Sequence, residues 1–369
     1  MFKYLVMSDI HLGHPINKTP YIVNNLNKFF KDYYKEFKYL NTIFIAGDIF
    51  DRLLSNSSGD YLLSTEWLTG LIVYCKINRI KLRVLEGTPS HDWKQAKLIS
   101  SVIKKLEIDV DYKYIDTLHI EYMKEENIYI LYIPDEYNPK AEDTLKEVKQ
   151  LMKEYNISQV DIAIMHGQFH YQLPMVKLES SHTEEEYLNL VKHYISIGHI
   201  HIPSVYSRIL AQGSFDRLQH NEEEDKGAML ITIYDDSSKD TYKFLKNKEA
   251  MIFKTIRFKD EDIDVICNKT RKILDKLPMH ANVRIVSENE DILYKSIKIL
   301  SKEYTGIRIK AERIKKEDNV VRLVKKEVIN NSLVITKDNI KDLLLKEIDK
   351  YKLDKEEYRV LEEELKDLI

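Results

Sequence analysis

The chain has 369 residues, with 57 Lys and Arg against 60 Asp and Glu and a formal net charge of −3. That length predicts two or three domains, and the charge balance excludes a globally basic nucleic-acid-binding protein, so any such contact must come from local patches. Only two cysteines occur, Cys75 and Cys267, which argues against a disulfide framework or a Cys-rich zinc site. No apolar run approaches the roughly 20 residues of a membrane span, and the first strand starting at once predicts no secretory leader.

Taken in chain order, five short apolar runs each lead straight into Asp or His. Tyr4–Met7 precedes Ser8-Asp9-Ile10-His11, and Ile43–Ala46 precedes Gly47-Asp48-Ile49-Phe50-Asp51. Leu82–Leu85 leads towards Ser90-His91-Asp92, Ile162–Met165 into His166-Gly167, and Tyr194–Ile197 into Gly198-His199-Ile200-His201. Short apolar runs bounded by Gly and polar residues read as buried strands. Ligands of open α/β sheets bind at the carboxyl ends of the strands, so these five ends are expected to build one site.

The residue types suit two divalent cations. Asp and His are ligands for Mn, Zn, Fe or Co rather than Ca, and a bridging carboxylate can hold two cations close enough to act on one phosphate. Asp48 is the expected bridge, because Gly47 lets the backbone turn tightly before it. Asp9, His11 and His201 are assigned to one cation, and His166 and His199 to the other. His91 is left to face the substrate, where it protonates a leaving alkoxide or stabilises the phosphorane charge, with Asp92 orienting it. His14, close to the first motif, is a further candidate for substrate contact.

Between the motif strands, Tyr21–Tyr39 and Ser64–Asn78 read as helices, Thr117–Tyr132 as a polar hairpin and Ala141–Tyr155 as a charged helix. Met229–Tyr234 reads as the strand that closes the unit. The expected fold is α/β, a layered β-sandwich flanked by helices over residues 1–245. From Met251 the pattern becomes strand, helix, strand, helix, strand (Met251–Phe258, Asp262–Leu277, Ala281–Ser287, Glu290–Ser301, Gly306–Ile314), a small α+β domain over residues 246–316. Its strands carry Lys254, Arg257, Arg308, Lys310 and Arg313 as a candidate set of phosphate contacts. Residues 317–335 read as a linker, and residues 336–369 as a helical pair. Ile340, Leu344, Ile348 and Tyr351 line the first of these helices. Leu361, Leu365 and Leu368 line the second, with Asp354 and Glu357 as its capping box. Two short helices cannot make a core alone, so they need their own catalytic domain or a partner.

The five motifs in this order resemble those of the calcineurin-like metallophosphoesterases, which run Asp-x-His, Gly-Asp-x-x-Asp, Gly-Asn-His-Asp/Glu, His-Gly or Gly-His, and Gly-His-x-His. Within that superfamily the chain looks like the SbcD-type DNA repair nuclease subunits, above all the bacteriophage-encoded ones. Leu12-Gly13 after the first motif, Gly213-Ser214-Phe215-Asp216-Arg217, and the acidic run Glu222–Lys226 ending at Gly227 carry this closer likeness. It is specific over about residues 1–235 and architectural beyond. The resemblance implies a metallophosphoesterase nuclease with two divalent metal ions, Mn foremost. The implied activities are 3′–5′ exonuclease on duplex ends and endonuclease on single strands. It also implies a domain over residues 246–316 that caps the site and orients DNA, with Arg217 among the DNA contacts. A homodimer, and C-terminal helices that bind the coiled coil of an SbcC-type ATPase, complete the expectation, in the cytoplasm, which is the host's if the chain is phage-encoded. One motif departs: Gly87-Thr88-Pro89-Ser90-His91-Asp92 stands where the family has Gly-Asn-His-Asp, and Ser90 is taken as the replacement for the metal-binding Asn. Two alternatives stay open: a phosphatase or small phosphodiesterase of the same fold, and a non-catalytic DNA-binding scaffold.

Overall fold

In a computed structural model, which describes residues 1–173 and 178–313, the apolar runs are strands buried on both faces. In β1 (Phe2–Met7), Tyr4 and Val6 face one core while Leu5 and Met7 face another. Period-2 alternation therefore feeds two cores from one uninterrupted apolar run. The chain continues through α1 (Thr19–Asp32), β2 (Thr42–Ala46), α2 (Gly59–Asn78), β3 (Lys81–Leu85), the single turn α3 (Pro89–Asp92), α4 (Lys97–Lys105) and β4 (Tyr112–Ile115). The parallel strands β1 to β4 lie side by side in chain order.

A second sheet is built from β5 (His119–Met123), β6 (Ile128–Ile133), α5 (Ala141–Glu154), β7 (Ile162–Gly167), α6 (Glu184–Leu190), β8 (Ile195–His199), β9 (Ser204–Tyr206) and β10 (Ile209–Ala211). Its strand order is β5-β6-β7-β8-β10-β9, with β6, β7, β8 and β10 parallel. The chain then returns to the first sheet, where β11 (Gly227–Ile233) pairs antiparallel with β1, and β12 (Thr241–Lys246) adds an outer edge. The two six-stranded sheets face each other across a core of Tyr4, Val6, Phe44, Tyr132, Ile164 and Met229. α1, α2 and α4 cover the outer face of the first sheet, and α5 and α6 that of the second.

The expected α/β class holds, with differences at the ends of elements. The first helix stops at Asp32 rather than Tyr39, and the second begins five residues early, at Gly59, where the Ser58 side chain accepts from the Tyr61 N–H. Met229–Tyr234 does not close the sheet. β12 lies outside it, and its mostly exposed Thr-Tyr-Lys-Phe-Leu-Lys carries too little apolar alternation to stand out as a strand.

The third sheet is wholly parallel: β13 (Phe253–Arg257), α7 (Ile263–Leu274), β14 (Asn282–Ser287), α8 (Glu290–Glu303) and β15 (Arg308–Arg313). Asp262 caps α7 and Asn289 caps α8, each by accepting a backbone N–H three residues on. Ile256, Ile266, Val283, Ile285, Leu293 and Leu300 form its own core. The proposed linker and helical pair, residues 317–369, lie outside the described residues. No helix among the described residues is long and apolar enough to cross a membrane.

One buried ion network ties the two large sheets together, starting from the strand that leads to the third motif. Arg83 of β3 forks onto Glu121 of β5 at 2.9–3.2 Å, and Tyr132 of β6 donates to the same carboxylate at 2.8 Å. Burial alone would raise the Glu121 carboxyl, but the Arg83 bonds and charge outweigh it and hold it at about 2, against an ordinary 4.5. A depressed carboxyl contributes stability that is present above its unfolded value and lost as pH falls towards the folded one. Unfolding in urea should therefore cost on the order of 2–3 kcal/mol less at pH 2 than at pH 6 on account of this group. Glu121→Gln should remove that part of the acid sensitivity; equal acid slopes for the two proteins would contradict the assignment.

Candidate metal centre

The two sheets meet at the carboxyl ends of their parallel strands. The His166 ring in β7 bonds through Nδ1 to the Ala46 carbonyl of β2 at 2.6 Å. A Cβ on Gly47 would lie 2.1 Å from the same ring, and Gly47 has φ +85°, so only glycine allows this approach. Asp9, His11 and Asp48 themselves have φ of 51–55°, a region L-residues seldom adopt. Such strain marks side chains held in place by their surroundings.

Among the described residues, three groups of side chains could hold a cation, each with its ligand atoms within 4.8 Å of one another: Asp9, His11 and His201; Asp48, His166 and His199; and His11, Asp48 and His91. The first two groups match the expected division into two sites. Asp48 stands between them, with Oδ2 3.4 Å from His166 Nε2 and 3.8 Å from His11 Nε2.

Both His11 and His201 are aimed by a partner on the far nitrogen. His11 Nδ1 lies 3.1 Å from Asp51 Oδ1, and His201 Nδ1 lies 3.0 Å from Glu222 Oε1. Glu222 is in turn paired with the buried Lys226 at 3.1 Å, whose Nζ also donates to the His201 carbonyl at 2.7 Å. Burial pushes Glu222 up, but the His201 bond and the Lys226 charge prevail and hold it at about 2. Oriented imidazoles of this kind are typical of metal sites.

The residues fit divalent cations on two observations. The Nε2 atoms of His11 and His166 are buried without a hydrogen-bond partner, an arrangement that costs free energy unless something else satisfies them. The electrostatics agree. Burial would lower His166, yet the Asp48 charge holds it well above its ordinary range, and Asp48 is correspondingly held well below its own. The pocket thus draws positive charge onto a fully buried ring, the charge a cation would bring.

Several assignments change. Asp92 does not orient His91. Its two oxygens accept the backbone N–H groups of Asp48 (3.0 Å), Phe50 (2.9 Å) and Gly87 (2.8 Å), so it shapes the loop that presents the bridge. His91 bonds instead to Asp48, with Nδ1 2.9 Å from Oδ2, and its side chain is 37% exposed at the mouth of the site. This contact places it in the third group as well as facing outwards. Asp92→Ala should lower stability by about 1–3 kcal/mol for each amide left without a partner, read as a fall in melting temperature. A variant that melts normally and only changes its rate would restore the orienting role.

Ser90 does not take the place of the metal-binding Asn. It is exposed, and with Pro89 it forms the solvent side of the α3 turn. Thr88 occupies the interior position. Its N–H donates to Asp48 Oδ1 at 2.6 Å, and its Oγ1 lies 3.3 Å from Asp48 Oδ2 and 3.3 Å from His199 Nδ1. Oγ1 also donates to Asp135 Oδ2 at 3.0 Å, and that oxygen is 3.4 Å from His199 Nδ1. Thr88, Asp135, Glu222 and Asp51 are thus site residues to which the motif pattern assigns no role. For Asp135 a signal exists, since Ile128–Ile133 is a sixth apolar run that leads into Pro134-Asp135.

The expected DNA contacts divide. Arg217 is tied to the fold: its guanidinium donates to the carbonyls of Glu224, Ala250 and Met251 at 3.1–3.2 Å. Lys254 is paired with Glu223 at 3.0 Å. Arg257, Arg308 and Lys310 are exposed on the face of the third sheet opposite its helices, where Arg284 joins them. Arg284 donates to Asn221 at 3.2 Å and His220 contacts Thr255 at 3.4 Å, so this face abuts the loop that also carries Glu222. Arg313 ends β15. His14 lies beside the first group, but burial holds it down at about 4, so it brings no charge to a phosphate at neutral pH.

No protein-family model matches the chain, and no curated protein matches it significantly.

Proposed function

We propose that the protein is a two-metal phosphodiesterase acting on DNA, of the SbcD type within the calcineurin-like metallophosphoesterases. On this reading residues 1–245 are the nuclease domain and residues 246–316 a capping domain. The observation that carries it is one buried carboxylate, Asp48, shared between two Asp/His groups whose orphaned imidazole nitrogens converge on it.

Two divalent cations, Mn foremost, would supply Lewis acidity: they would neutralise phosphate charge and make a water acidic enough to attack. The first would be held by Asp9, His11 and His201 and the second by His166 and His199, with Asp48 shared. The chain's own residues do the rest. His91 Nδ1 is tied to Asp48, which leaves Nε2 as the atom that faces a substrate and passes a proton to the leaving oxygen. The cations Arg257, Arg308 and Lys310 on one face of the third sheet favour a polyanion over a small phosphate ester, because they are spread over a separate sheet that abuts the Glu222 loop. An SbcC-type ATPase is the proposed partner of residues 336–369, on their sequence pattern, and a homodimer is the proposed assembly.

The test is Mn- and Mg-dependent cleavage of a labelled duplex and a labelled single strand, set beside a phosphopeptide and a small phosphodiester. Preference for DNA supports the reading. Hydrolysis of the phosphopeptide alone would replace it with a phosphatase, and DNA binding without cleavage of any substrate would replace it with a scaffold. Capture of the coiled-coil base of an SbcC-type ATPase by the full chain, lost on deletion from Thr336, tests the partner.

A further inference from the structure

We propose that Thr88 and Asp135 complete the ligand set of the second cation, so that this chain holds it with two carboxylates and a hydroxyl where its relatives by resemblance use one carboxylate and an amide. The inference rests on the two-cation reading and deepens it.

The geometry of three neighbours supports it. Asp135 is fixed at one oxygen, since Oδ1 accepts the Glu136 N–H at 3.0 Å, and this leaves Oδ2 turned to the cluster. There Oδ2 meets Thr88 Oγ1 at 3.0 Å and His199 Nδ1 at 3.4 Å, with the Asp135 side chain only 12% exposed. The residue after His166 is Gly167, with φ +134°, and a Cβ there would come within 3.3 Å of Asp135 Oδ1. Glycine next to a ligand histidine makes the room in which this carboxylate sits.

Thr88 explains why a carboxylate is needed. A hydroxyl is a weaker donor to a cation than an amide carbonyl and carries no charge. Oγ1 has one proton for two carboxylates; given to Asp135, the nearer at 3.0 Å against 3.3 Å for Asp48, it leaves the lone pairs for a cation on the side where Asp48 and His199 converge. Asp135 then supplies the negative charge that the hydroxyl lacks. Two carboxylates make a harder donor set, which favours Mn or Mg over Zn at this position.

Calorimetric titration of Mn into the full-length chain, with Mn electron paramagnetic resonance to report the coupled pair, tests this without an activity readout. The wild type should take up two Mn. Asp135→Asn and Thr88→Val should each weaken one Mn by about tenfold or more while the other stays close to its wild-type affinity, which also shows that the variant is folded. Thr88→Asn, which restores an amide oxygen, should recover the weakened affinity. Unchanged binding of both ions in Asp135→Asn, or equal loss of both, overturns the inference and leaves the two-cation reading standing. Uptake of fewer than two Mn by the wild type removes that reading itself.

Discussion

Asp48→Asn is expected to reduce Mn-dependent phosphodiester cleavage by roughly 10³-fold, the rate equivalent of the several kcal/mol of charge stabilisation that metal catalysis provides. The substitution removes the negative charge that stands between His11 of one cation group and His166 of the other, and it places an amide NH₂ at one of the two oxygens that now accept from the Thr88 N–H (Oδ1, 2.6 Å) and from the His91 ring (Oδ2, 2.9 Å). The fold should survive, because the Asp48 loop is held independently by the Asp92 bonds to the amides of residues 48, 50 and 87. Melting curves recorded in chelator should therefore stay close to wild type. Near-normal cleavage by Asp48→Asn would sink the two-metal assignment.

His91→Ala and His199→Ala should separate proton transfer from metal binding. General acid catalysis contributes about 10²–10⁴-fold, so His91→Ala should lose activity on that scale while it keeps both Mn ions. His199→Ala should lose the second Mn, because its ring stands 3.3 Å from Thr88 Oγ1 and 3.4 Å from Asp135 Oδ2 in the middle of that group. Mn occupancy from anomalous scattering or calorimetry decides the matter. His91 also lies within reach of a cation shared with His11 and Asp48. If His91→Ala loses a metal, that third group is a real site and His91 is a ligand rather than an acid.

Much of the site is legible in the amino-acid sequence alone. Five of the strands that end in ligand residues announce themselves because a strand buried on both faces is apolar almost throughout, as Tyr4–Met7 and Ile43–Ala46 are, with Arg83 and Ser196 as buried polar exceptions in two of the others. The ligand histidines and aspartates follow these runs directly, so their sharing of one rim needs only the rule that parallel strands end together. The separation into Asp9, His11 and His201 against Asp48, His166 and His199 agrees with that pattern.

What the sequence cannot decide is how side chains divide their bonds once the strands converge. Asp92 sits beside His91 in the chain, yet its carboxylate turns inwards to three amides, because the α3 turn sends neighbouring residues to opposite sides. The same turn exposes Ser90 and buries Thr88, two residues earlier. Asp135 comes from the opposite sheet, 47 residues away from Thr88, and no spacing along the chain signals that meeting. Arg217 reads as a free cation until the fold brings the carbonyls of residues 224, 250 and 251 around it. Periodicity and composition determine which segments become strands and where chemistry gathers, because burial acts on every residue of an element alike. Which atom contacts which is settled by turns and by the packing of two sheets, and these depend on residues far apart in the chain.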